Sequence, residues 1–312
     1  MKIRVGTRGS RLARVQSRDV ARMLEQRGHE VELVLIKTLG DQQQTMPFEQ
    51  VGPAGVFVVE IERALLENRI DLAVHSYKDL PSIKPEGLIV AAVPERLDPA
   101  DVLLVREESS DASKALPVKT GGVVGTASKR RESWLAALRP DLTTRLLRGN
   151  LPTRVAKLVE REFDAILLAG AGLKRLARGA ERQGEEPLPL AGIRVERLDP
   201  EQFVPAPSQG ALAVQVRQAD EKLLEIAGQL DDAASHRAVS AERALLELVE
   251  GGCSLPFGAW CQADEESPTG ALRMVAMLGV DGVAGGVVKV DGRHEDPLEL
   301  AAALYEQLKE HR

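Results

Sequence analysis

The first two thirds of the chain alternate between short apolar runs and amphipathic stretches. Residues 2–6 alternate charged and apolar side chains, which predicts a strand. The amphipathic stretch 10–28, with Ser10 as a candidate N-cap, predicts a helix, and 31–38 predicts a second strand. The same succession starts again near residue 100. The pattern therefore predicts two successive α/β units, each built on a parallel sheet.

The same periodicities assign the remaining elements of the two units. Helices are predicted at 56–68, 128–138, 152–162 and 171–177, and strands at 71–74, 101–105, 121–125, 143–147 and 164–168. Residues 39–55 have no usable period and are predicted to form a long loop or a lid. A polar stretch at 178–192 follows the last helix, and the segment 203–216 ends in an alternating pattern typical of a strand.

The last third has a different pattern. Two helical stretches are followed by three strands in succession and a closing helix, which is typical of a small α+β domain. The predicted ranges are 220–230 and 234–249 for the first helices, 257–263, 272–280 and 285–290 for the strands, and 297–310 for the last helix.

The composition limits the function classes. With 44% hydrophobic and 28% charged residues, the 312-residue chain is typical of a globular protein of two or three domains. No apolar run approaches the roughly 18 residues of a membrane helix. The first ten residues lack the apolar core of a secretory signal, so we expect a cytoplasmic protein. The net charge of −6 argues against a nucleic-acid partner.

Positive charge is concentrated in one segment of this acidic chain. Residues 126–154 contain seven lysines and arginines against two acidic residues, which indicates a local site for an anionic ligand. The chain contains neither the P-loop pattern nor the G-x-G-x-x-G pattern. The anion is therefore expected to be a carboxylate or a phosphate, and not a nucleotide held by either of these two motifs.

Polar clusters follow four of the predicted strands, at 7–10, 75–79, 126–131 and 148–150. Ligands of open parallel sheets bind outside the carboxyl ends of the strands, so two α/β domains that face one cleft could share these clusters. Arginines beside helix N-termini suit anions. Each cluster also has an ordinary interpretation, as a polar turn, a helix cap or a solvated basic face.

The two cysteines have different surroundings in the sequence. They are too few for a disulfide framework or a complete metal site. Cys261 lies in an apolar run and is interpreted as a small buried hydrophobe. Cys253 follows two glycines and precedes Ser-Leu-Pro-Phe-Gly, which makes an accessible thiol. A nucleophile, an attachment point and a structural hinge all remain open for Cys253.

Seven segments, in order along nearly the whole chain, resemble the porphobilinogen deaminase family, also called hydroxymethylbilane synthases. They are TRGSRLA (7–13), ALLENRIDLAVHSYKDLP (64–81), VGTASKRR (124–131), LRGNLPTR (147–154), DAILLAGAGLKRL (164–176), PAPSQGAL (205–212) and AERALLELVEGGCSLPFG (241–258). The resemblance implies a transferase that joins four molecules of porphobilinogen head to tail, each with loss of ammonia. It also implies a dipyrromethane cofactor, held by a thioether to Cys253, and a monomeric enzyme.

The resemblance assigns roles to individual residues. Asp79 is the implied catalytic residue, which assists departure of the amine and stabilises the resulting cation. Because every pyrrole carries two carboxylates, arginines and hydroxyls are the implied ligands. The implied cofactor-binding residues are Arg8, Ser10, Ser76, Lys78, Asp79, Thr126, Ser128, Arg130, Arg131, Arg148, Asn150, Arg154 and Gln209, and the implied substrate-binding residues are Arg8, Arg148, Arg154 and Arg175.

The family's fold implies the domain boundaries. Two α/β domains like those of periplasmic binding proteins, around a cleft, are expected at 1–97 with 205–228 and at 98–204, and a small α+β domain at 229–312. Four positions depart from the family's pattern: Leu39, Ala54 and Val59 replace basic residues, and Ser208 replaces a glycine.

Two other functions are consistent with parts of the pattern. A two-domain binding protein for a small anion would share the architecture without any chemistry, because fold does not determine function. It would have no use for Cys253 and would carry an export signal. A redox-sensing regulator would use Cys253 but would need a basic DNA-binding domain, which the sequence does not predict.

Overall fold

The protein was analysed as a computed structural model, which describes residues 1–37, 58–83, 85–250, 256–280 and 286–310. Its strands are β1 Lys2–Thr7, β2 Glu30–Leu35, β3 Leu72–Ser76, β4 Leu88–Ala92, β5 Asp101–Arg106, β6 Val123–Thr126, β7 Thr143–Leu146, β8 Ala165–Ala169, β9 Ile193–Arg197, β10 Leu212–Arg217, β11 Phe257–Ala263, β12 Leu272–Gly279 and β13 Val287–His294. Its α-helices are α1 Arg11–Glu25, α2 Val59–Leu66, α3 Lys129–Leu138, α4 Leu151–Val159, α5 Gly170–Gln183, α6 Glu221–Gly228, α7 Ala233–Glu250 and α8 Pro297–Lys309.

The chain forms two compact units, residues 1–97 with 210–236, and residues 98–209 with 237–312. The first unit has one five-stranded sheet in the order β2-β1-β3-β10-β4. Strand β1 runs parallel to β2 and β3, whereas β10 runs antiparallel to β3 and β4. Apolar side chains of α1 and α6, such as Leu24 and Ile226, pack on Ile3 and Val214 of the sheet. Helix α2 belongs to a separate cluster with Ile70.

The second unit contains two sheets. A five-stranded sheet has the order β7-β6-β8-β5-β9, in which β6 is parallel to β7 and β8, and β5 is antiparallel to β8 and β9. A three-stranded antiparallel sheet, β11-β12-β13, packs against α7 and α8 through residues such as Leu245 and Leu304. Val275 and Met277 of β12 share a buried cluster with Trp134 of α3. The two sheets of this unit therefore have a continuous core.

The predicted fold class is confirmed, because two α/β sheets are followed by a small α+β portion. The prediction of parallel sheets is wrong, since both large sheets are mixed. Parallel neighbours need a long crossover, usually a helix. No α-helix lies between β5 and β6 among the described residues, and β10 enters the first sheet from a distant part of the sequence. Local periodicity carries no information about either arrangement.

Several predicted element boundaries need correction. The strands β4 and β9 were not predicted, and α5 continues to Gln183, six residues beyond its predicted end. Both missed strands are short, and each pairs with a single neighbour at the edge of its sheet. Edge strands show a weaker apolar signal because part of their surface stays in water. The three-domain division at 1–97 with 205–228, 98–204 and 229–312 stays a prediction.

Candidate active site

The first polar cluster caps helix α1. Strand β1 ends at Thr7, and Ser10 is the N-cap of α1, where its Oγ accepts a hydrogen bond from the Ala13 backbone N–H at 3.3 Å. Arg8 lies between the two and is half-buried. The N-terminus of a helix carries a partial positive charge that favours anions. The cap at Ser10 is confirmed, and Arg8 adds a full positive charge beside it.

The second polar cluster is a turn at the end of β3. Ser76 is the last residue of that strand, and Tyr77–Asp79 form one turn of 3₁₀-helix. The turn is fixed on both sides, because the Tyr77 N–H donates to the Ala211 carbonyl at 3.1 Å and the buried Gln16 Nε2 donates to Ser76 Oγ at 2.7 Å. Lys78 is half-buried and Asp79 is exposed. The Asp79 carboxylate is thus held at the surface by an ordered turn.

A buried histidine precedes this turn. His75 Nε2 lies 3.0 Å from Gln215 Oε1, and Gln215 Nε2 donates to Glu62 Oε1 at 3.1 Å. Burial lowers the pKa of His75 to about 4, and the nearby Arg8 contributes to the same shift. Burial raises the pKa of Glu62. Sequence reasoning missed Gln16, Gln215 and Glu62, whose partners lie 60 to 153 positions away.

The third cluster lies at the start of α3. Ser128 is its N-cap and accepts from the Arg131 N–H at a long 3.5 Å, while the buried Thr126 accepts from the Ser128 N–H at 3.2 Å. The two hydroxyl oxygens therefore order the turn between β6 and α3.

The arginines of α3 form a buried cluster with one carboxylate, Asp101 of β5. Arg130 Nη2 and Arg131 Nη2 each lie 2.7 Å from a different oxygen of Asp101. Gln209 Nε2 donates to the same carboxylate at 2.8 Å and to the Pro99 carbonyl at 2.7 Å. The remaining Nη atoms of the two arginines donate to the carbonyls of Val204 and Leu167.

Asp101 is fully buried, and both arginines are no more than 6% exposed. Burial alone would raise the pKa of Asp101, but Arg130 and Arg131 outweigh it and hold that pKa well below its usual range. A buried carboxylate that is paired in this way stays ionised. The interpretation of Arg130 and Arg131 as part of a solvated basic face is therefore wrong. The sequence contains no local signal for Asp101, which lies 29 positions before Arg130.

The fourth cluster lies at the start of α4. Asn150 is its N-cap and accepts from the Thr153 N–H at 3.0 Å and from the Thr153 hydroxyl at 2.8 Å. Gly149 has a φ of +113°, and a Cβ there would lie 2.8 Å from Thr153 Cγ2, so the turn requires glycine. Arg154 Nε donates to the Gly149 carbonyl at 2.8 Å. Both Arg148 and Arg154 are half-buried.

The other predicted site residues have different positions. Arg175 lies on α5 and is 5% exposed. Val59 is the first residue of α2 and is exposed. Cys253, Leu39 and Ala54 lie outside the described residues. Cys261 is a buried residue of β11, as predicted.

Sequence models of one family match almost the whole chain. The model described as "Porphobilinogen deaminase, dipyromethane cofactor binding domain" matches residues 3–225, and that described as "Porphobilinogen deaminase, C-terminal domain" matches residues 236–310. The chain belongs to the porphobilinogen deaminase family. The resemblance inferred from the seven segments is thereby confirmed.

Individual relatives agree with this assignment. A porphobilinogen deaminase of Maridesulfovibrio salexigens is 42% identical over 98% of this chain and 94% of its own length. One of Oceanobacillus iheyensis is 40% identical over the same shares, and one of Syntrophobacter fumaroxidans is 46% identical over 82% of this chain and 78% of its own. The protein has porphobilinogen deaminase (hydroxymethylbilane synthase) activity in tetrapyrrole biosynthesis and a dipyrromethane cofactor.

Solved structures also match parts of the chain. The Bordetella pertussis BvgS periplasmic VFT2 domain matches with a TM-score of 0.44 and 14% identity, over 78% of this chain and 92% of that domain. An ancestral arginine-binding protein bound to arginine matches with a TM-score of 0.40 and 15% identity, over 73% of this chain and 90% of that protein.

No helix in the described part of the chain is long and apolar enough to cross a membrane. Within the same ranges, no group of three or more His, Cys, Asp or Glu side chains is arranged to hold a metal ion.

Proposed function

We propose that Asp79 is the catalytic residue of this porphobilinogen deaminase. One observation carries the assignment: a carboxylate is held at the surface by an ordered turn whose neighbouring donors, Lys78, Ser76 and Arg8, suit the acidic substrate. The substrate's carbon–nitrogen bond breaks with departure of ammonia, and positive charge spreads onto the pyrrole nitrogen. A fixed carboxylate stabilises that charge and orients the proton that the leaving amine carries.

The cations and hydroxyls around α1 then bind the substrate's carboxylates. Arg8 supplies two parallel N–H donors, which suit a carboxylate. Gln16 Nε2 donates to Ser76 Oγ, so the Ser76 hydroxyl hydrogen is available for donation to another acceptor. Ser10 and Lys78 complete the proposed set in this unit. Bound carboxylates orient the pyrrole ring so that its aminomethyl group reaches Asp79.

The residues of the second unit fit a polycarboxylate cofactor. Arg131 Nε is buried and has no hydrogen-bond partner among the described residues, although the two other nitrogens of this guanidinium are bonded. An additional carboxylate would satisfy that donor. Thr126, Ser128, Arg148, Asn150, Arg154 and Arg175 complete the proposed set of ligands, and Cys253 is the proposed point of thioether attachment.

The dipyrromethane, when bound, supplies the pyrrole carbon to which substrate units are added. The chain's own residues bind it. Arg130 and Gln209 act in this proposal through Asp101, because their described hydrogen bonds run to its carboxylate and to neighbouring carbonyls.

Intact mass is the most direct test of the attachment at Cys253. The purified protein is expected to exceed its sequence mass by a covalent two-pyrrole adduct, and Cys253→Ser is expected to lack it. Cys261→Ser is the matched control, because that thiol is buried, and it should keep the adduct. An active wild-type protein with the unmodified mass would contradict the proposal.

The role of Asp79 is tested by Asp79→Asn, which keeps the size of the side chain and removes its charge. We expect turnover to fall by a factor of about 10² or more, since a fixed group that stabilises developing charge contributes about that much. The control is Glu86→Gln, an exposed acid in the connection that precedes β4. Near-normal ammonia release by Asp79→Asn in a protein with the adduct would refute the role.

We also propose that the enzyme works as a monomer in the cytoplasm. Light scattering of the purified protein at working concentrations tests the first statement, and fractionation of the cells tests the second. A binding protein without catalysis, the alternative from the sequence, is inconsistent with the activity of the family.

A further inference from the structure

Three polar side chains of the first unit, His75, Gln215 and Glu62, form a hydrogen-bonded chain that begins on the strand leading into the Asp79 turn. It joins β3, β10 and α2 through hydrogen bonds of 3.0 and 3.1 Å. His75 is 6% and Gln215 3% exposed. Their neighbours include an apolar cluster containing Ile61, Leu65, Ile70 and Ala73. We call these three residues the His75 chain. Buried polar groups are costly unless each is hydrogen-bonded, so such a chain needs a reason.

The strand register explains how the three residues meet. Strands β3 and β10 are antiparallel, with His75 opposite Ala213 and Ala73 opposite Gln215. Alternate residues of a strand face the same side, so Gln215 is the diagonal neighbour of His75 on one face. Helix α2 contributes Glu62 to the far end of the chain.

With Glu62 ionised, the hydrogen bonds have one consistent direction. An ionised carboxylate accepts and does not donate, so Gln215 directs its Nε2 to Glu62 and its Oε1 to His75. An amide oxygen can only accept, so His75 must carry its proton on Nε2. The Nδ1 atom of the neutral ring is then a lone-pair acceptor.

The position of His75 makes its charge important. Strand β1 pairs with β3 in parallel, with Gly6 opposite Ala73. Arg8 is the first residue after β1 and His75 is the fourth residue of β3, so this register brings the two segments side by side, and the positive charge of Arg8 acts on the His75 ring. A protonated imidazole would place a second cation beside the Arg8 guanidinium in a shielded place, where like charges repel strongly. A neutral imidazole avoids that repulsion.

We propose that Glu62 and Gln215 hold His75 as the neutral Nε2–H tautomer, and that His75 in this form is a positioning residue for Arg8. Glu62 acts through Gln215, and His75 acts through Arg8, so none of the three touches the reacting atoms. The inference rests on the substrate-binding role proposed for Arg8. Disturbing the chain should therefore weaken binding of the acidic substrate more than it slows turnover.

Glu62→Gln is the decisive variant. Its new amide can donate as well as accept, so the orientation of the Gln215 amide is no longer fixed. Nitrogen-15 NMR of the histidine-labelled holoenzyme reports the tautomer, and the His75 signal is identified by its loss in His75→Gln. Wild type is expected to show the Nε2–H form at neutral pH, and Glu62→Gln a mixture of both forms. A wild-type Nδ1–H form, or an unchanged spectrum in Glu62→Gln, would overturn the proposal.

Steady-state kinetics provides the second measurement. KM for porphobilinogen is expected to rise about fivefold in Glu62→Gln with kcat within about twofold, because only ground-state binding is weakened. Glu62→Asp keeps the carboxylate and should recover most of the difference. Glu67→Gln is the matched control, because Glu67 caps the end of α2 and pairs with Arg69 at the surface. An unchanged KM, or equal losses in kcat and in kcat/KM, would contradict the proposal.

Two results separate this inference from the function on which it rests. An unchanged KM in Arg8→Gln would refute the role of Arg8, whatever the spectrum of His75 shows. If KM rises in Arg8→Gln while both the His75 spectrum and KM stay unchanged in Glu62→Gln, the role of the His75 chain is refuted and that of Arg8 is not. Far-ultraviolet circular dichroism of each variant establishes that it is folded.

Discussion

Helices α3 and α4 begin with the same local arrangement, yet their arginines lie in different surroundings. Each helix follows a strand and a polar turn, and each has a side-chain N-cap, Ser128 in one and Asn150 in the other. Arg130 and Arg131 of α3 are buried against Asp101. Arg148, which precedes α4, and Arg154, within it, are half-buried.

The comparison teaches that a capped helix with nearby arginines is not by itself an anion site. The deciding residue, Asp101, comes from β5, which is neither adjacent in sequence nor part of the motif. Where such a carboxylate is present, the arginines are mostly neutralised within the protein. Arg148 and Arg154 are only half-buried, so a ligand can reach their guanidinium groups. The predictions below test this difference.

The largest effect is expected for Asp101→Asn. The change removes the carboxylate from two buried guanidinium groups, and breaking a buried ion pair by removing one partner costs about 3–5 kcal/mol. Denaturant unfolding measures the loss. Glu132→Gln on the same helix is the control, because it breaks only a surface pair with Lys129 and should cost under about 1 kcal/mol.

The stability that is lost in Asp101→Asn should depend on pH in one direction. The folded-state pKa of Asp101 is depressed, so its stabilisation is complete above the unfolded value of about 3.9 and is lost as pH falls through the lower folded value. The difference between wild type and Asp101→Asn should thus be constant from neutral pH to about pH 4 and shrink below it. A difference that grew on acidification would show that Asp101 is not held ionised.

The next effect is that of Arg131→Gln, which we expect to destabilise the fold by about 2–3 kcal/mol. Asp101 would keep Arg130 and Gln209, but the Leu167 carbonyl would lose its charged donor. The loss is larger than that expected for a surface arginine because Arg131 is buried. Arg145→Gln is the control, since this exposed arginine stacks on Phe163 at 4.4 Å. Equal stability of the two variants would show that burial against Asp101 does not distinguish Arg131 from an exposed arginine.

Arg148→Gln should affect function rather than stability. We expect unfolding to change by less than about 1 kcal/mol, because the side chain is only half-buried. Affinity for the acidic substrate should fall about tenfold, the loss of one charge-assisted contact of about 1.4 kcal/mol. Arg145→Gln again serves as the control, as it removes the same charge three positions away. Normal KM in Arg148→Gln would argue against an anion site at α4.

The smallest effects are expected at the two caps. Asn150→Ala should cost about 1 kcal/mol, a usual value for an N-cap. Ser128→Ala should cost less, about 0.5 kcal/mol, because its capping contact of 3.5 Å is longer than the 3.0 Å contact of Asn150. Thermal unfolding of both variants shows which one loses more stability. A larger loss in Ser128→Ala than in Asn150→Ala would show that tertiary contacts contribute more than the caps.

Features that depend on neighbours in sequence could be predicted from the sequence. The cap at Ser10 was expected from its place before an amphipathic stretch, and the structure has it. Strand 257–263 has its predicted bounds, and Cys261 within it is buried. Side-chain periodicity and capping are local, so a single sequence carries both. Membership of the porphobilinogen deaminase family could also be predicted from the sequence, because the seven matching segments are specific in combination.

Only the tertiary structure decided which side chains meet across the sheets. The antiparallel insertion of β10 brings Gln215 to His75 over 140 positions of sequence, and β5 brings Asp101 to Arg131 over 30. These contacts depend on strand order and register, which periodicity does not encode. The surroundings then decide the charge of each group: burial keeps His75 neutral beside Arg8, whereas two paired arginines keep Asp101 ionised despite its burial.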